Sequence, residues 1–348
     1  MRKTPAISFD EARRRRGRRR GIQILAVLSA MIAAVFIISV NTGYIRLTPL
    51  ELLHTLLGRG TDKQELILFD FRLPRIVISI LIGAGLAVSG AVMQGVFRND
   101  LADPGILGIN AGAGLMVMLL ISFYPAASAA PVFMLPLVAF AGAAATAALI
   151  YALAYKRHEG IPSIRLLLTG VAVAAGMSAA MIVLTLRLDP DKYQFVATWL
   201  AGSIWGTSWK FVLSLLPWIV ILLPYVVYKA RVMNVLNLGE QTATGLGAAV
   251  NREQFRLLGA AVGLAAASVA VSGGIGFVGL VGPHLARRLV GPKHQLMLPA
   301  SALLGSLLVL TADTIGRWIL QPSEIPAGIV VAVIGAPYFL YLLARTRS

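Results

Sequence analysis

An all-α polytopic membrane protein of about ten spans is predicted by three observations on this 348-residue sequence. Hydrophobic residues make up 57% of it and charged residues 13%, with a mean hydropathy of +0.79, whereas soluble domains carry about a quarter charged residues. Uncharged stretches close to the length of a bilayer crossing recur along the chain, bracketed by Lys and Arg. The net charge of +16 is unevenly placed, with nine of the 31 Lys and Arg in the first 20 residues and others at the ends of apolar runs. That distribution is one of membrane topology and attraction to anionic lipid head groups, and it argues against nucleic acid as a partner. Cysteine is absent, which excludes disulfides and cysteine metal sites and leaves the redox compartment open.

Arg13–Arg20 (RRRRGRRR) precedes an uncharged run of 20 residues, Gly21–Val40. A secretory signal has an apolar core of about 7–15 residues and ends in an A-x-A-like site. Ser39-Val40-Asn41-Thr42-Gly43 is a poor cleavage site, so the run is read as a retained first span with the arginines in the cytoplasm. Residues 44–71 are polar enough to lie outside. Within them Thr48-Pro49-Leu50-Glu51 is an N-cap, a first-position proline and a capping-box Glu, opening a short amphipathic surface helix to about Leu57.

Arg75 and Arg98 then bracket 22 uncharged residues, Ile76–Phe97. At ~1.5 Å per residue they reach about 33 Å, against a bilayer core of roughly 30 Å. Gly83, Gly85, Ala87, Ser89, Gly90, Ala91 and Gly95 leave little bulk on this span, as close helix approach in lipid requires. The turn-rich Asn99-Asp100-Leu101-Ala102-Asp103-Pro104-Gly105 follows as a structured loop.

Residues 106–155 are uncharged and interrupted by Pro125, Pro131 and Pro136, so they hold two spans. Leu166–Leu186 is the fifth and 211–228 the sixth, with an aromatic interfacial segment from Asp189 to Trp209 between them. Residues 230–256 form the longest internal polar segment. Leu257–Ala286, 30 uncharged residues, is long for one span and short for two. Its weak centre, Ser272-Gly273-Gly274-Ile275-Gly276, is taken as a break between spans seven and eight. Spans nine (296–316) and ten (325–344) complete the chain. Ten crossings put 22 Lys and Arg in the cytoplasm against nine outside, and nine crossings give 18 against 13. The positive-inside rule therefore favours ten, with both termini cytoplasmic. AVSG occurs at 87–90 and again at 270–273, a weak sign of an inverted repeat.

Gly274-Ile275-Gly276-Phe277-Val278-Gly279 matches Gly-x-Gly-x-x-Gly, but the next carboxylate is Asp313, too far on for a dinucleotide site. A helix break with close packing, continuing to Pro283, explains it better. None of the seven lysines follows a glycine, so a Walker A loop is excluded and any ATP must be bound elsewhere. Arg72, Arg75 and Arg317 fall at outer span ends, as snorkelling anchors or as a basic ring for an acidic partner. Asp313 is the carboxylate deep within a span. Burial there costs about 2.5–3.5 kcal/mol on insertion scales, and a structural pair with Arg317, four residues on, is favoured over proton coupling. Around Leu236-Asn237-Leu238-Gly239-Glu240, a short helix from Glu240 to Thr244 is expected, capped by Asn237 or Gly239 and ended by Gly245 and Gly247. Leu236, Leu238 and Leu246 beside it would be better buried in a partner. His54, His158, His284 and His294 show no metal-ligand spacing, and Met177 and Met181 are read as packing.

The stretch RLPRIVISILIGAGLAVSGAVMQGVFRNDLADPGILGINAGAG, Arg72–Gly114, resembles the signature of FecCD-type permeases. These are the membrane subunits of binding-protein-dependent ABC importers for iron–siderophore complexes, haem and cobalamin. The resemblance continues in order to the C-terminus. It departs from the family pattern at Asp100 and Val331, where proline and threonine are usual, and at Gly282, which replaces a larger aliphatic. The resemblance implies a type II importer permease fold over residues 21–348, after a basic tail at 1–20. It implies a second permease subunit, two ATP-binding subunits, an extracytoplasmic substrate-binding protein, and no cofactor bound by this chain. The chain would not be an enzyme itself. Arg72, Arg75 and Arg317 would face glutamates of the binding protein. Leu238, Gly239, Glu240, Thr244, Gly245, Leu246 and Gly247, within 230–256, would seat in the ATPase, and Ser163, Ile164 and Arg165 would form a cytoplasmic gate. The cargo so implied is a ferric siderophore crossing the cell membrane by alternating access. Haem or cobalamin is the alternative within the family, and an ion-coupled carrier working alone is the alternative outside it.

Overall fold

In the computed structural model the described residues are 6–42, 48–105, 108–124, 133–155, 163–204, 206–321 and 323–346. They form helices α1 (Ala6–Asn41), α2 (Pro49–Leu56), α3 (Asp62–Glu65), α4 (Leu73–Phe97), α5 (Ile109–Phe123), α6 (Met134–Ala154), α7 (Ser163–Thr185) and α8 (Pro190–Leu200). The second half adds α9 (Trp209–Tyr228), α10 (Ala230–Leu236), α11 (Glu240–Gly245), α12 (Val250–Ser272), α13 (Val278–Val290), α14 (His294–Ile319) and α15 (Ala327–Thr346). Each expected span falls on one of α1, α4, α5, α6, α7, α9, α12, α13, α14 and α15. Among the described residues, seven helices are long and apolar enough to cross a membrane, while α5 and the apolar part of α15, Ala327–Tyr341, are shorter and α13 has 13 residues.

The helix α4 is the hub. It is buried along nearly its whole length and packs on α12, α13 and α14. Gly83 faces the backbone of Gly305 and Ser306, and Gly90 faces the backbone of Gly279, so closely that a Cβ at either glycine would overlap the opposite chain. Hydrogen bonds stitch the same seams: Ser89 Oγ donates to the Ala261 carbonyl (2.6 Å), Gln94 Nε2 to that of Gly279 (3.1 Å) and Ser306 Oγ to that of Ile80 (2.8 Å). Lipid supplies no hydrophobic drive between helices, so small residues and interhelical hydrogen bonds carry the association.

The helix entering the membrane at α4 begins earlier than expected. Residues 66–72 form a π-helical turn joining α3 to α4, so Asp62–Phe97 is one helical run of 36 residues. Ile67 and Leu68 are buried on this turn, which draws in a segment expected outside the span. Pro74 lacks an N–H and its ring crowds the carbonyl four residues back, and the wider turn accommodates both. The surface helix α2 follows expectation. Thr48 N–H donates to Glu51 Oε2 (2.7 Å) and Glu51 N–H to Thr48 Oγ1 (3.3 Å), and the Thr48 N–H holds the Glu51 carboxyl below the usual carboxylate range.

The expected break inside Leu257–Ala286 separates α12 from α13, with Gly274 and Gly276 between the helices. Gly273 (φ +67) lies against the Trp199 carbonyl and Gly274 against that of Leu200, where a side chain has no room. Pro283, by contrast, is buried inside α13, and the helix continues through it. The loop after α4 folds inward. Ala102, Asp103 and Pro104 are buried, and Asp103 Oδ1 accepts from the Gly105 N–H (2.7 Å). The two AVSG copies sit mid-α4 and at the end of α12.

Gly90→Ala is expected to destabilise the folded protein by about 1–3 kcal/mol through overpacking against Gly279. Gly259→Ala, at an exposed helical site with open space around it, is expected to stabilise by roughly 0.5–1 kcal/mol. Thermal midpoints in detergent check both signs.

Candidate docking and coupling sites

The helices α4 and α14 run side by side with opposite starts, so the beginning of one meets the end of the other. There Asp313, with its side chain 1% exposed, takes one arginine on each oxygen. Arg75 Nη2 and Nε lie 2.8 Å and 2.9 Å from Oδ1, and Arg317 Nε lies 3.1 Å from Oδ2. Arg317 also donates through Nη2 to Ser39 Oγ (2.5 Å) and through Nη1 to the Thr42 carbonyl (3.1 Å), tying in the end of α1. Arg75 Nη1 reaches Glu324 Oε2 at 2.7 Å. Arg72, also buried, donates to the Val40 carbonyl.

The Asp313–Arg317 pair has the i,i+4 form expected, and Arg75, Ser39 and Glu324 join it from segments far away in sequence. The three arginines do not form an outward-facing ring. Three helix ends converge around them, and each desolvated guanidinium finds acceptors inside the chain, as buried charge must. Of the three, Arg75 lines a described cavity.

That cavity, of about 590 Å³, is lined by Asp70, Arg75, Trp209, Lys210 and Glu324 among others, and Trp209 Nε1 is anchored on the Phe69 carbonyl (2.8 Å). A second cavity of about 570 Å³ shares Gly206 and Thr207 with it and is walled by Gln194, Thr198, Trp199 and Ser203. This second cavity depends on α8, which the sequence shows only as an interfacial segment. Asp189 caps α8 by accepting from the Lys192 N–H (2.9 Å), a bond that holds its carboxyl below the usual range. Val196 and Trp199 are buried beneath.

At the opposite end of α4 and α14 lies the 230–256 segment. The helix α11 spans Glu240–Gly245, with Gly239 at the cap position (φ +102) and Gly247 (φ +82) closing the turn after it. Thr244 Oγ1 donates to the Glu240 carbonyl (2.8 Å). Leu238 and Leu246 are 59% and 63% exposed on either side of α11, whereas Leu236, expected beside them, is buried within this chain where α10 packs on the bundle, and Ala243 of α11 is buried too. The base of the segment is fixed by the Lys229–Glu253 ion pair (2.8 Å). Asn234 Oδ1 accepts from the His294 backbone N–H (3.1 Å) and lies 2.8 Å from its ring Nδ1. A loop from the other half joins here too, through the Arg287–Asp100 ion pair.

Ile164 and Arg165 lie in the first turn of α7, with Ile164 exposed and Arg165 Nη2 donating to the Leu153 carbonyl (3.0 Å). The Ser163 side chain and the preceding turn, with His158, lie outside the described residues. Met177 Sδ accepts from Thr146 Oγ1 (3.6 Å) and Met181 packs near Gly114, so both methionines serve packing.

The model of the FecCD transport family matches residues 31–345. The chain belongs to the FecCD transport family. Among curated FecCD-type relatives, the iron(3+)-hydroxamate import system permease protein FhuG of Bacillus subtilis (strain 168) is 51% identical, covering 93% of this chain and 97% of its own. The Fe(3+) dicitrate transport system permease protein FecD of Escherichia coli (strain K12) is 38% identical over 94% and 99%. The hemin transport system permease protein HmuU of Yersinia pestis is 38% identical over 93% and 96%. A solved metal-chelate type ABC transporter in an inward-facing conformation superposes with a TM-score of 0.82, at 30% identity, over 93% of this chain and 99% of that one. As a FecCD family member the chain is a multi-pass membrane transport protein.

In this FecCD chain Asp313→Ala is expected to cost about 3–5 kcal/mol, because it leaves two buried guanidiniums without their shared counter-ion. The loss is read as a lowered thermal midpoint, with Asp313→Asn between the two.

Proposed function

We propose that this chain is the permease subunit of an ABC importer that carries a ferric siderophore across the cytoplasmic membrane, with both termini in the cytoplasm. The observation that carries this reading is the 51% identity, over nearly full length, to an iron(3+)-hydroxamate permease. A hydroxamate chelate is accordingly the first cargo to test. The chain has no Gly-Lys-Ser/Thr sequence, so ATP is hydrolysed by separate subunits, two of them, beneath a pair of permeases formed with a copy or a homologue of this chain. The chelator satisfies the iron, and the path needs no metal ligands of its own.

The two polar ends of the α4–α14 pair suit two partners. The end bearing Arg72, Arg75 and Arg317 serves the external substrate-binding protein, and Arg75, on its cavity, is the cation within reach of a partner carboxylate. The α11 end serves the ATPase. Exposed Leu238 and Leu246 offer apolar contact on either side of Glu240, and buried Leu236 and Ala243 hold the turn to the bundle. Gly239, Gly245 and Gly247 give that turn its shape, and Thr244 closes it. ATP-driven closure of the ATPases moves this segment and tilts the spans, and Ser163, Ile164 and Arg165 close the cytoplasmic side of the path.

The test is uptake. Cells lacking the chain should fail to accumulate radiolabelled iron supplied as a ferric hydroxamate, and the restored chain together with its ATPase and binding protein should recover it. Recovery with hemin but not with the hydroxamate would move the cargo to haem. Uptake that persists after loss of every partner ATPase would make the chain a carrier on its own. Within the assembled importer, Glu240→Arg is expected to cut transport at least tenfold while ATP hydrolysis and membrane insertion persist, as measured by paired uptake and ATPase assays.

A further inference from the structure

We infer that Glu324 is an internal occupant of the Arg75 edge that the substrate-binding protein uses, displaced when an acidic side chain of that protein docks. The inference rests on the docking reading above and adds to it which carboxylate gives way.

Four groups define the cluster: Arg75 and Arg317, with Asp313 and Glu324. Both carboxylates already pair with Arg75, so an incoming carboxylate gains little from it unless one of the two residents leaves. Asp313 is not free to leave. It is 1% exposed, sits inside α14 and binds both arginines. Glu324 is placed differently. Its side chain is 32% exposed, it makes a single contact to Arg75, through Nη1 at 2.7 Å, and it lies in the non-helical link between α14 and α15. Asp313 therefore holds the Nε and Nη2 edge of the guanidinium on the buried side, and Glu324 covers the Nη1 corner facing the 590 Å³ cavity.

Exchange of one carboxylate for another keeps Arg75 paired throughout, so docking avoids the cost of a desolvated and unpartnered guanidinium. The displaced Glu324 stays within a cavity that Lys210 also lines, with Asp70 as the other carboxylate there. Glu324 thereby weakens docking in proportion to its hold on Arg75, while keeping the site satisfied when the partner is away. This gives a reversible encounter, as repeated delivery requires, in place of a permanent complex.

The experiment uses the assembled importer in nanodiscs and the purified substrate-binding protein that supports uptake above, with affinity measured by biolayer interferometry at fixed salt. Glu324→Gln should tighten docking about three- to tenfold, and Arg75→Gln should weaken it at least tenfold. In the Arg75→Gln background, Glu324→Gln should bring no gain, because its competitor's target is gone. Glu324→Asp, with its charge kept on a shorter arm, should fall between wild type and Glu324→Gln, which separates competition from a general loss of structure. Docking that weakens with Arg75→Gln but is unchanged or weakened by Glu324→Gln overturns this inference alone. Docking indifferent to Arg75→Gln overturns the docking reading itself, and this inference with it.

Discussion

The structure depends on how closely backbones approach along α4. In lipid, apolar side chains have nothing to gain by leaving their surroundings for one another, and what holds helices together is contact distance and the polar bonds made across it. Gly83 against Gly305 and Gly90 against Gly279 set that distance. Once it is set, Ser89 and Gln94 of α4 can reach carbonyls on α12 and α13, and Ser306 of α14 can reach one on α4. The Gly279 carbonyl lacks its usual helical donor, because Pro283 stands four residues on without an N–H, and the Gln94 amide serves it instead.

The same constraint explains where the chain stops being helical. Irregular backbone at membrane depth is tolerated only when buried in protein or lining a cavity. The break after α12 meets the end of α8, with Gly273 and Gly274 against the Trp199 and Leu200 carbonyls. The segment after α8 meets the start of α15, where the Gly328 N–H donates to the Gly202 carbonyl (2.9 Å). Two irregular segments and one helix start thus share one buried region, beside which the 570 Å³ cavity opens. Asp103, on the inward-folded loop, lies near Gly279 at the first turn of α13, where a carboxylate suits the positive end of a helix.

The helix α14 joins the two polar ends of the molecule. Its first turn is held by Asn234 from α10, next to α11, and its last turns carry Asp313 and Arg317. A helix of 26 residues at ~1.5 Å per residue is about 39 Å long. It carries Pro299 near its start and packs on α4, so the α4 contact is what links its two ends. The ion cluster at one end is satisfied within the chain; that end presents Arg75 with Glu324, and the other presents Leu238, Glu240 and Leu246.

Much of the fold is legible in the sequence, because spans are read from length and from charges at their ends, both local properties. The runs 76–97, 166–186 and 211–228 are bounded by arginines or lysines that cannot enter the lipid. The turn at 239–247 shows itself by glycines with leucines beside them, and the split in 257–286 by glycines too weak for a helix. The Asp313–Arg317 pair is visible because one helical turn separates the two residues. Arg75, Ser39 and Glu324 are not visible as its partners, since 238 residues separate Arg75 from Asp313 and only the pairing of α4 with α14 removes that distance. The π-helical entry to α4, the burial of Arg72, the inward loop at Asp103 and the use of α8 as a cavity wall belong to the same class. Sequence determines which segments enter the membrane, because that is a solvation free energy summed along the chain. Which polar groups meet inside is decided by helix packing, because there each buried charge takes the partner that the approach of backbones brings within reach.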